Sequence, residues 1–439
     1  MKKGVIAGLI LLAIVVLISP AIVGRLAEKS MDENLNWAAK ESGELKVTSE
    51  NFTRGWFSSE GQHRIEIQDG ELLAAIQTMS GPMNSTDLPV LVVNTKLDHG
   101  LIPVSSMSRE RGSLAPGLGS AVSTMVVEFP DGETVDVPGT IYSKVGLGGE
   151  LLSNYILEEG TNSDDGKIAS WGATNIEVET NPNSGEAAFN GSVGKLSIAD
   201  GTEVVSLGSL TFEGEQKPTR YGISVGEVKL DLADLNVNVR GNNAGGMRSM
   251  SVEATTELDG DEVNADATMN IAMQGLPQLG DMSLDMVFEL AGADAAAVGH
   301  MQQSLESMAN PQDPMAVYAT IEQDVLALFA GGFEMNFERF NVTLPQGTVT
   351  SRMLFSFAEE DPATFEWTSL LLNTEAQVDV SIPEALVDMI VQSQPNAAMA
   401  IGGGYLVKRG DAYEMNAEMK KGLLTINGAP IPIPFGALR

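Results

Sequence analysis

The chain of 439 residues has 59 acidic and 26 basic side chains, so its formal net charge at pH 7 is −33. Binding to nucleic acids needs clustered Lys and Arg that displace phosphate counterions, and the absence of such a cluster excludes a nucleic-acid partner. Cysteine is absent, which excludes disulfides, thiol catalysis and thiolate metal sites. Hydrophobic residues make up 43% of the chain, enough for a sizeable core despite the charge.

The first segment, residues 4–24, contains no charged residue and is rich in Ile, Leu, Val and Ala. A helix of these 21 residues would be about 31 Å long and would match a hydrocarbon core of roughly 30 Å, which predicts a single transmembrane anchor over residues 1–24. Lys2 and Lys3 precede the apolar run, so the positive-inside rule predicts a cytoplasmic N-terminus and an extracytoplasmic body. A cleaved secretory signal is the alternative, but its apolar run would be shorter and Pro20 disfavours cleavage.

Residues 25–43 are predicted to form an amphipathic helical stalk. Ala27, Met31 and Leu35 recur at helical spacing among charged residues, and Gly43 is suited to end the helix. We expect the apolar stripe of the stalk to dock on the region that follows it; a coil that binds a partner is the alternative.

From residue 44 onward, strict alternation of apolar and polar residues predicts a β-rich extracytoplasmic region over residues 44–290. In residues 252–259 apolar Val, Ala and Leu alternate with Glu, Thr and Asp, and the alternation resumes after residue 262. This pattern predicts an antiparallel hairpin with one solvated face. Residues 282–290 alternate in the same way.

The apolar phase slips by one residue in two places. One slip falls at Ala233 and Asp234, and the other lies between Phe337 and Phe340. A slip of one residue would turn the buried face outward unless a bulge absorbs it, so we predict a β-bulge at each position and hence a curved sheet.

Helical spacing is confined to a few segments. Residues 291–332 predict a packed helix pair, the first helix capped by Asp294 and the second beginning at Pro314 after a cap at Asp313. Residues 333–439 predict a C-terminal β-rich region with one short helix after Pro383, in which Leu386 and Ile390 face inward. Asn427 and Gly428 in this region suit a type I′ hairpin turn. The fold class is therefore mainly β with a helix pair, an α+β arrangement preceded by the anchor and the stalk.

Residues that would carry chemistry are sparse. The sequence has three histidines and lacks the HExxH, GxSxG and GxxxxGK[ST] motifs, so zincin, α/β-hydrolase and P-loop chemistry lack their usual scaffolds. We predict no catalytic residue, no cofactor and no metal ligand, and hence a protein that is not an enzyme. Carboxylates are abundant, so a hydrolase that uses two paired carboxylates remains an alternative.

Two places are candidates for interaction. Trp56 and Phe57 put two bulky aromatic side chains beside the turn of a predicted hairpin, where they either lock the hairpin onto the sheet or form an exposed recognition tip. His99 follows an apolar strand, where a histidine is either a hydrogen-bonded turn residue or a ligand.

Four features of the sequence carry a family resemblance: the N-terminal anchor, the RGWFSS stretch at residues 54–59, the Asp-His-Gly at residues 98–100, and the C-terminal stretch over residues 404–428. Together they resemble the YdgA-like family, bacterial inner-membrane-anchored proteins of unknown function. The resemblance extends over nearly the whole chain. Family members usually have proline after the His-Gly pair, where this chain has Leu101, and lysine after the last Asn-Gly, where it has Ala429. The resemblance implies a Gram-negative periplasmic location and supplies no activity.

These observations favour a protein anchored in the bacterial inner membrane through residues 4–24, with a periplasmic body that acts as a non-enzymatic binding or scaffold module. A carrier or sensor that holds a lipid or another apolar ligand in a β-groove is the second hypothesis, and the carboxylate-based envelope hydrolase is the third. The expected partners are the membrane, an apolar ligand and other envelope proteins.

Overall fold

The fold consists of two compact units, which divide between Lys217 and Pro218. The computed structural model describes residues 45–54, 58–68, 73, 88–99, 119–146, 148–164, 167–181, 183–201, 203–239, 242–276, 279–308, 314–361, 365 and 367–431. The predicted anchor over residues 1–24 and the predicted stalk over residues 25–43 lie outside these residues. Within the described part of the chain, no helix has the length and hydropathy needed to cross a membrane.

The first unit is built from antiparallel strands. They are β1 (Leu45–Arg54), β2 (Ser58–Ile67), β3 (Val90–His99), β4 (Gly119–Glu128), β5 (Thr134–Val145), β6 (Leu151–Leu157), β7 (Gly160–Asp164), β8 (Lys167–Trp171), β9 (Thr174–Thr180), β10 (Ala187–Val193), β11 (Leu196–Asp200), β12 (Glu203–Leu207) and β13 (Leu210–Pro218). The pairing order is β1-β2-β3-β4-β5-β6-β9-β10-β13, and a second run pairs as β7-β8-β11-β12.

The second run continues four strands of the first across a shared interruption. β6 leads into β7, β8 into β9, β10 into β11 and β12 into β13, with the same register on both sides of each break. At this shared interruption, here called the crease, the Gly172 amide donates a hydrogen bond to the Lys195 carbonyl at 2.8 Å. A Cβ atom on Gly194 would lie 2.6 Å from the Gly172 carbonyl carbon, so the close approach of the two backbones requires glycine there.

The apolar residues of these strands form a buried core. Residues from β2 to β10 meet in one cluster that includes Ile65, Leu91, Met125 and Ile176. In β5 the register with β4 shifts at Pro138 to Thr140, and Gly139 there has a φ of 110°. The Tyr155 ring packs against Gly139, and the Tyr155 hydroxyl donates a hydrogen bond of 2.8 Å to the Pro138 carbonyl.

The second unit is an antiparallel meander. Its strands are β14 (Ser224–Val239), β15 (Asn242–Asp259), β16 (Glu262–Leu276), β17 (Gly280–Asp294), β18 (Phe333–Leu344), β19 (Gly347–Phe357), β20 (Thr374–Pro383), β21 (Val407–Arg409), β22 (Ala412–Lys420), β23 (Leu423–Ile426) and β24 (Ala429–Ile431). They pair in the order β14-β15-β16-β17-β18-β19-β20-β22; β21 and β23 both pair with β22, and β24 pairs with β23.

Helices connect some of these strands. They are α1 (Ala295–Met308), α2 (Pro314–Gly331), α3 (Trp367–Asn373), α4 (Glu384–Ser393) and α5 (Ala398–Gly402), with a 3-10 turn at Pro395–Ala397. The helix pair is confirmed: α1 packs on α2, and the Ala297 amide donates to the capping Asp294 carboxylate at 2.7 Å. α2 begins at Pro314 as predicted, whereas the predicted cap Asp313 lies outside the described residues. The sequence did not predict α3 and α5.

The sequence predicts the turns of the second unit well. β15 and β16 pair Asp259 with Glu262 around a two-residue turn, which confirms the predicted hairpin. Asn427 and Gly428, between β23 and β24, have φ angles of 51° and 78°, as a type I′ turn requires.

The two predicted bulges have different outcomes. The register of β18 shifts against both neighbours next to Phe337, which confirms the bulge predicted before Phe340. At the other predicted position, Asp234 of β14 has a left-handed φ of 77°. The register between β14 and β15 is unchanged there and shifts only between Asn236 and Asn238, so the irregularity lies slightly later than predicted.

The short helix after Pro383 is confirmed as α4, but one predicted inward residue is wrong. Leu386 is 2% exposed and Val387 is buried beside it, whereas Ile390 is 42% exposed. The spacing of Leu386 and Ile390 permits both to share a face, and the docking angle of the helix selects Leu386 and Val387 instead. Taken as a whole, the described chain is mainly β, antiparallel and poor in helix.

Truncation of Leu386 and Ile390 tests this docking face. We expect Leu386→Ala to lower the free energy of unfolding by about 2–5 kcal/mol, because it leaves a cavity under α4. Ile390→Ala, on the same helix, should cost below about 1 kcal/mol because its side chain is already in water. Urea denaturation followed by circular dichroism measures both. Equal costs for the two variants would contradict the orientation of α4.

Stability at high pH tests the buried Tyr155. Burial raises the pKa of Tyr155 to about 12, whereas the pKa of an unfolded tyrosine is about 10. As the pH rises, the unfolded chain therefore loses the Tyr155 proton before the folded chain does. The contribution of Tyr155 to the free energy of unfolding is fully present below about pH 10 and is lost as the pH rises to about 12. We expect Tyr155→Phe to flatten the fall in unfolding free energy over this range by on the order of 2 kcal/mol. The exposed Tyr405→Phe should keep the parent pH dependence; an unchanged slope in Tyr155→Phe would overturn the assignment.

Candidate functional site

The apolar positions of the second unit meet in register on one face of its sheet, here called the Met-rich face. Cross-strand pairs connect the apolar residues of each strand to those of the next, from β14 to β22. Two rows run Leu230, Val252, Met269, Met286, Phe340 and Leu232, Met250, Ile271, Leu284, Val342, Val349; two more run Ala254, Ala267, Phe288, Phe337, Met353, Val378, Ala417 and Leu290, Met335, Phe355, Ala376, Met419.

Methionine is frequent on this face. Ten of the 21 methionines of the chain lie on it: Met247, Met250, Met269, Met273, Met282, Met286, Met335, Met353, Met415 and Met419. Methionine is unbranched and polarisable, so a surface of methionines adapts to apolar partners of different shapes.

The bulge in β18 keeps the face continuous. Phe288 pairs with Phe337, but Val287 pairs with Arg339, so β18 contains one extra residue at this level. Because side chains alternate across a strand, this extra residue restores Phe340 and Val342 to the same face as Phe337.

The side chains of the Met-rich face are half-buried rather than buried. The residues of its four rows all retain partial exposure. Near this face the buried apolar residues of the sheet, such as Val263 and Phe333, lie at the end that the helix pair covers. A sheet normally buries its apolar face under a second layer, so partial exposure over this many strands makes this face the candidate surface for interaction.

Helices border the face at two places. At one end α2 contributes Phe329, whose ring centroid lies 5.3 Å from Phe333 and 4.8 Å from Phe357, and Val298 of α1 packs on the same cluster. Near the other end α4 follows β20 and buries Leu386, and Lys408 of β21 forms an ion pair with Glu384 of α4.

The opposite face of the same strands is polar and acidic. Glu253, Asp266 and Glu257 alternate with the apolar residues of β15 and β16 and are exposed. Asp285 forms an ion pair of 2.8 Å with Arg339, and Asn336 donates to Glu289 at 2.9 Å. The two faces therefore differ sharply in chemistry, and an apolar ligand has only one of them to bind.

The first unit has a concave site of about 530 Å³ beside the crease. Tyr142, Ile156 and Trp171 line it together with the exposed Glu158 and Glu159. The Trp171 indole donates a hydrogen bond of 3.0 Å to the Glu158 carbonyl, which fixes the ring at the break between β6 and β7.

The interaction residues predicted from the sequence do not belong to the Met-rich face. Trp56 and Phe57 lie outside the described residues, between β1 and β2. His99 is the last residue of β3, where its backbone pairs with Gly119 in the first unit. Nothing in the described structure tests a binding role for these three side chains.

Two observations on the described side chains concern metal binding and general-acid catalysis. Among them, no group of three or more His, Asp or Glu is placed to hold a metal ion. Hydrogen bonds from Tyr221 and Arg220 lower the pKa of the exposed Asp261 carboxyl. This direction is opposite to the raised pKa that a general acid needs.

The comparisons with known proteins establish a family. The chain matches the family model described as a bacterial protein of unknown function (DUF945) over residues 1–434. It therefore belongs to this family. No curated protein and no solved structure matches it. Membership in the family thus assigns no activity, ligand or partner.

The exposure of the Met-rich face is testable by oxidation of methionine with hydrogen peroxide. Oxidation follows solvent access, so we expect Met399, which is 69% exposed, to react fastest and Met125, which is 3% exposed, to react slowest. Met269 and Met286 should react at intermediate rates. Peptide mapping by mass spectrometry gives the rate at each position. Protection of Met269 and Met286 equal to that of Met125 would show that another layer covers the face.

Proposed function

We propose that this DUF945 protein is a non-enzymatic envelope protein whose Met-rich face binds the acyl chains of a lipid. The observation that carries the proposal is the continuous, in-register and half-buried apolar face from β14 to β22. The carboxylate-hydrolase hypothesis has no comparable support.

The dimensions of the face suit acyl chains. Eight strands spaced about 4.8 Å apart span roughly 34 Å, and the four rows extend roughly 20 Å along the strands. An acyl chain spans half of a hydrocarbon core, about 15 Å. One lipid, or several chains side by side, would thus be covered by the face.

The composition of the face also favours a lipid over a fixed protein partner. Protein interfaces are anchored by Trp, Tyr and Arg in defined pockets. The rows of the Met-rich face consist of Met, Leu, Val, Ile, Ala and Phe, which offer apolar contact without hydrogen bonds. Flexible methionines can follow chains of different length and unsaturation.

The proposed location follows from the sequence. We propose that residues 4–24 anchor the protein in the bacterial inner membrane and that its body lies in the periplasm, which would place the Met-rich face next to a source of lipid. The resemblance to the YdgA-like family supports this location and is compatible with membership in DUF945.

A scaffold for envelope proteins is a second candidate function. It is favoured by large apolar side chains exposed near the C-terminal end of the second unit, above all Met399 at 69% and Leu423 at 57%. Exposed apolar side chains of this kind suit contacts with another protein.

The first experiment is mass spectrometry of an organic extract from the full chain, which is purified in a mild detergent that does not remove bound lipid. We expect stoichiometric phospholipid or another acyl compound. Addition of that lipid to stripped protein should slow the oxidation of Met269 and Met286 and leave Met399 unchanged. A clean extract, together with unchanged oxidation rates after lipid is added, would refute acyl binding and turn attention to crosslinking of protein partners.

Three neighbouring residues of β16 provide matched variants. Ile271→Lys places a charge on the Met-rich face and should reduce bound lipid several-fold, because burying an unpaired charge against an acyl chain is costly. Asn270→Lys puts the same charge on the opposite, exposed face of the same strand and should leave lipid binding unchanged. Met269→Leu keeps the apolar surface and should also bind. Quantitative lipid extraction of the folded variants is the measurement, and equal lipid in the two lysine variants would contradict the assigned face.

A further inference from the structure

The polar face of the second unit contains a concave site with three arginines, here called the arginine site. Arg339 of β18, Arg352 of β19 and Arg409 of β21 line a volume of about 510 Å³. The site lies on the face of the sheet opposite the Met-rich face, and its function does not depend on acyl binding.

The fold brings these arginines together from distant parts of the chain. The β18 bulge pairs Arg339 with Val287 and so turns Arg339 to the polar face. Arg352 pairs across β19 and β20 with Asp379, which in turn pairs with Asn416 of β22. Arg409 ends β21, which pairs along the far edge of β22. The three side chains therefore come from strands on both sides of β20.

Each guanidinium makes its closest internal contact through Nε. Arg339 Nε lies 2.8 Å from an Asp285 carboxylate oxygen, and Arg409 Nε lies 3.4 Å from a Glu414 carboxylate oxygen. Arg352 Nε donates to the Glu338 backbone carbonyl at 3.4 Å. The terminal amino groups, which form the bidentate fork of arginine, are left for another partner.

Arg352 is unusual in this acidic chain. Arg64, Arg220, Arg248, Arg339 and Arg409 each form an ion pair with a carboxylate. Among the arginines whose side chains the structure describes, Arg352 alone forms no such pair. The neighbour that would supply one, Asp379, is occupied: Asn416 Nδ2 and Gln377 Nε2 donate to its two carboxylate oxygens at 2.8 and 2.9 Å.

We propose that the arginine site binds a phosphate group, with Arg352 as its principal ligand. A fork of guanidinium donors matches the oxygens of phosphate bidentately, and three such forks face one site. The Thr350 and Ser381 hydroxyls also line the site and can donate to a phosphate oxygen.

The surrounding charges restrict what binds. Glu338, Asp379 and Glu414 line the same site, so its formal charge is balanced, in contrast to the −33 of the chain. A long polyanion would meet the acidic surface around the site, whereas a single phosphate group would contact only the arginines and hydroxyls. Inorganic phosphate and a phospholipid headgroup are the two sources of such a group.

Binding of inorganic phosphate to the full chain in a non-ionic detergent, measured by isothermal titration calorimetry, tests the proposal. We expect saturable binding that weakens roughly tenfold in Arg352→Gln, because a charged hydrogen-bonding fork is lost. Arg352→Lys keeps the charge but loses the fork and should bind with intermediate affinity. Arg248→Gln removes an exposed arginine paired with Asp281 outside the site and should change the affinity less than about twofold.

Vesicles of phosphatidylglycerol in phosphatidylcholine distinguish the source of the phosphate. Saturable binding of inorganic phosphate that Arg352→Gln weakens supports a site for free phosphate. Binding to the vesicles alone, also weakened by Arg352→Gln, supports a headgroup site. If Arg352→Gln does not fold, Arg409→Gln, at an exposed turn, should weaken the same binding several-fold. Binding to neither probe, or equal binding by parent and both glutamine variants, overturns the proposal.

Discussion

The structure of the second unit depends on the register between antiparallel strands. Side chains alternate across each strand, so a shift of a single residue at any pairing would turn an apolar row into the polar face. The rows of the Met-rich face together extend from β14 to β22 because consecutive pairings bring apolar residues opposite one another. Next to Phe337 the sequence itself slips, and the bulge in β18 corrects the slip. The same bulge turns Arg339 to the other face, so one backbone feature shapes both proposed sites.

The two units use the same alternation with different results. In the first unit, Leu91, Met125 and Ile176 belong to a closed core, and Leu73 and Leu88, from the segment between β2 and β3, are buried in it. In the second unit, residues of equal hydrophobicity stay half-buried over most of the sheet, and the closed core of its described residues lies beside the helix pair. The exposure of the Met-rich face therefore does not come from weak hydrophobicity. Within the part of the chain that the structure describes, it follows from helices that cover the ends of the sheet and leave its middle half-exposed.

The sequence predicted what local pattern determines. Alternation identified the strands, Asp294 and Pro314 marked the helix pair, and Asn427 with Gly428 identified a turn, because each of these signals acts within a few residues. Both proposed sites depend on contacts between distant strands. Arg339, Arg352 and Arg409 meet through β20 and β22, and the continuity of the Met-rich face requires the pairing of eight strands. The position of α4 was likewise set by docking, which buried Val387 in place of Ile390.

The acidic charge and the apolar face are linked on the same strands. Glu253, Glu257 and Asp266 alternate with face residues, so most strands that extend the Met-rich face also add carboxylates to the opposite side, with β19 as an exception. A half-exposed apolar sheet invites association between copies, and a net charge of −33 opposes it through long-range repulsion. A neutral lipid chain is not repelled in this way. Under the proposed function, the charge would therefore favour small apolar ligands over a second copy of the protein, and the proposed phosphate site lies where arginines such as Arg352 offset the carboxylates.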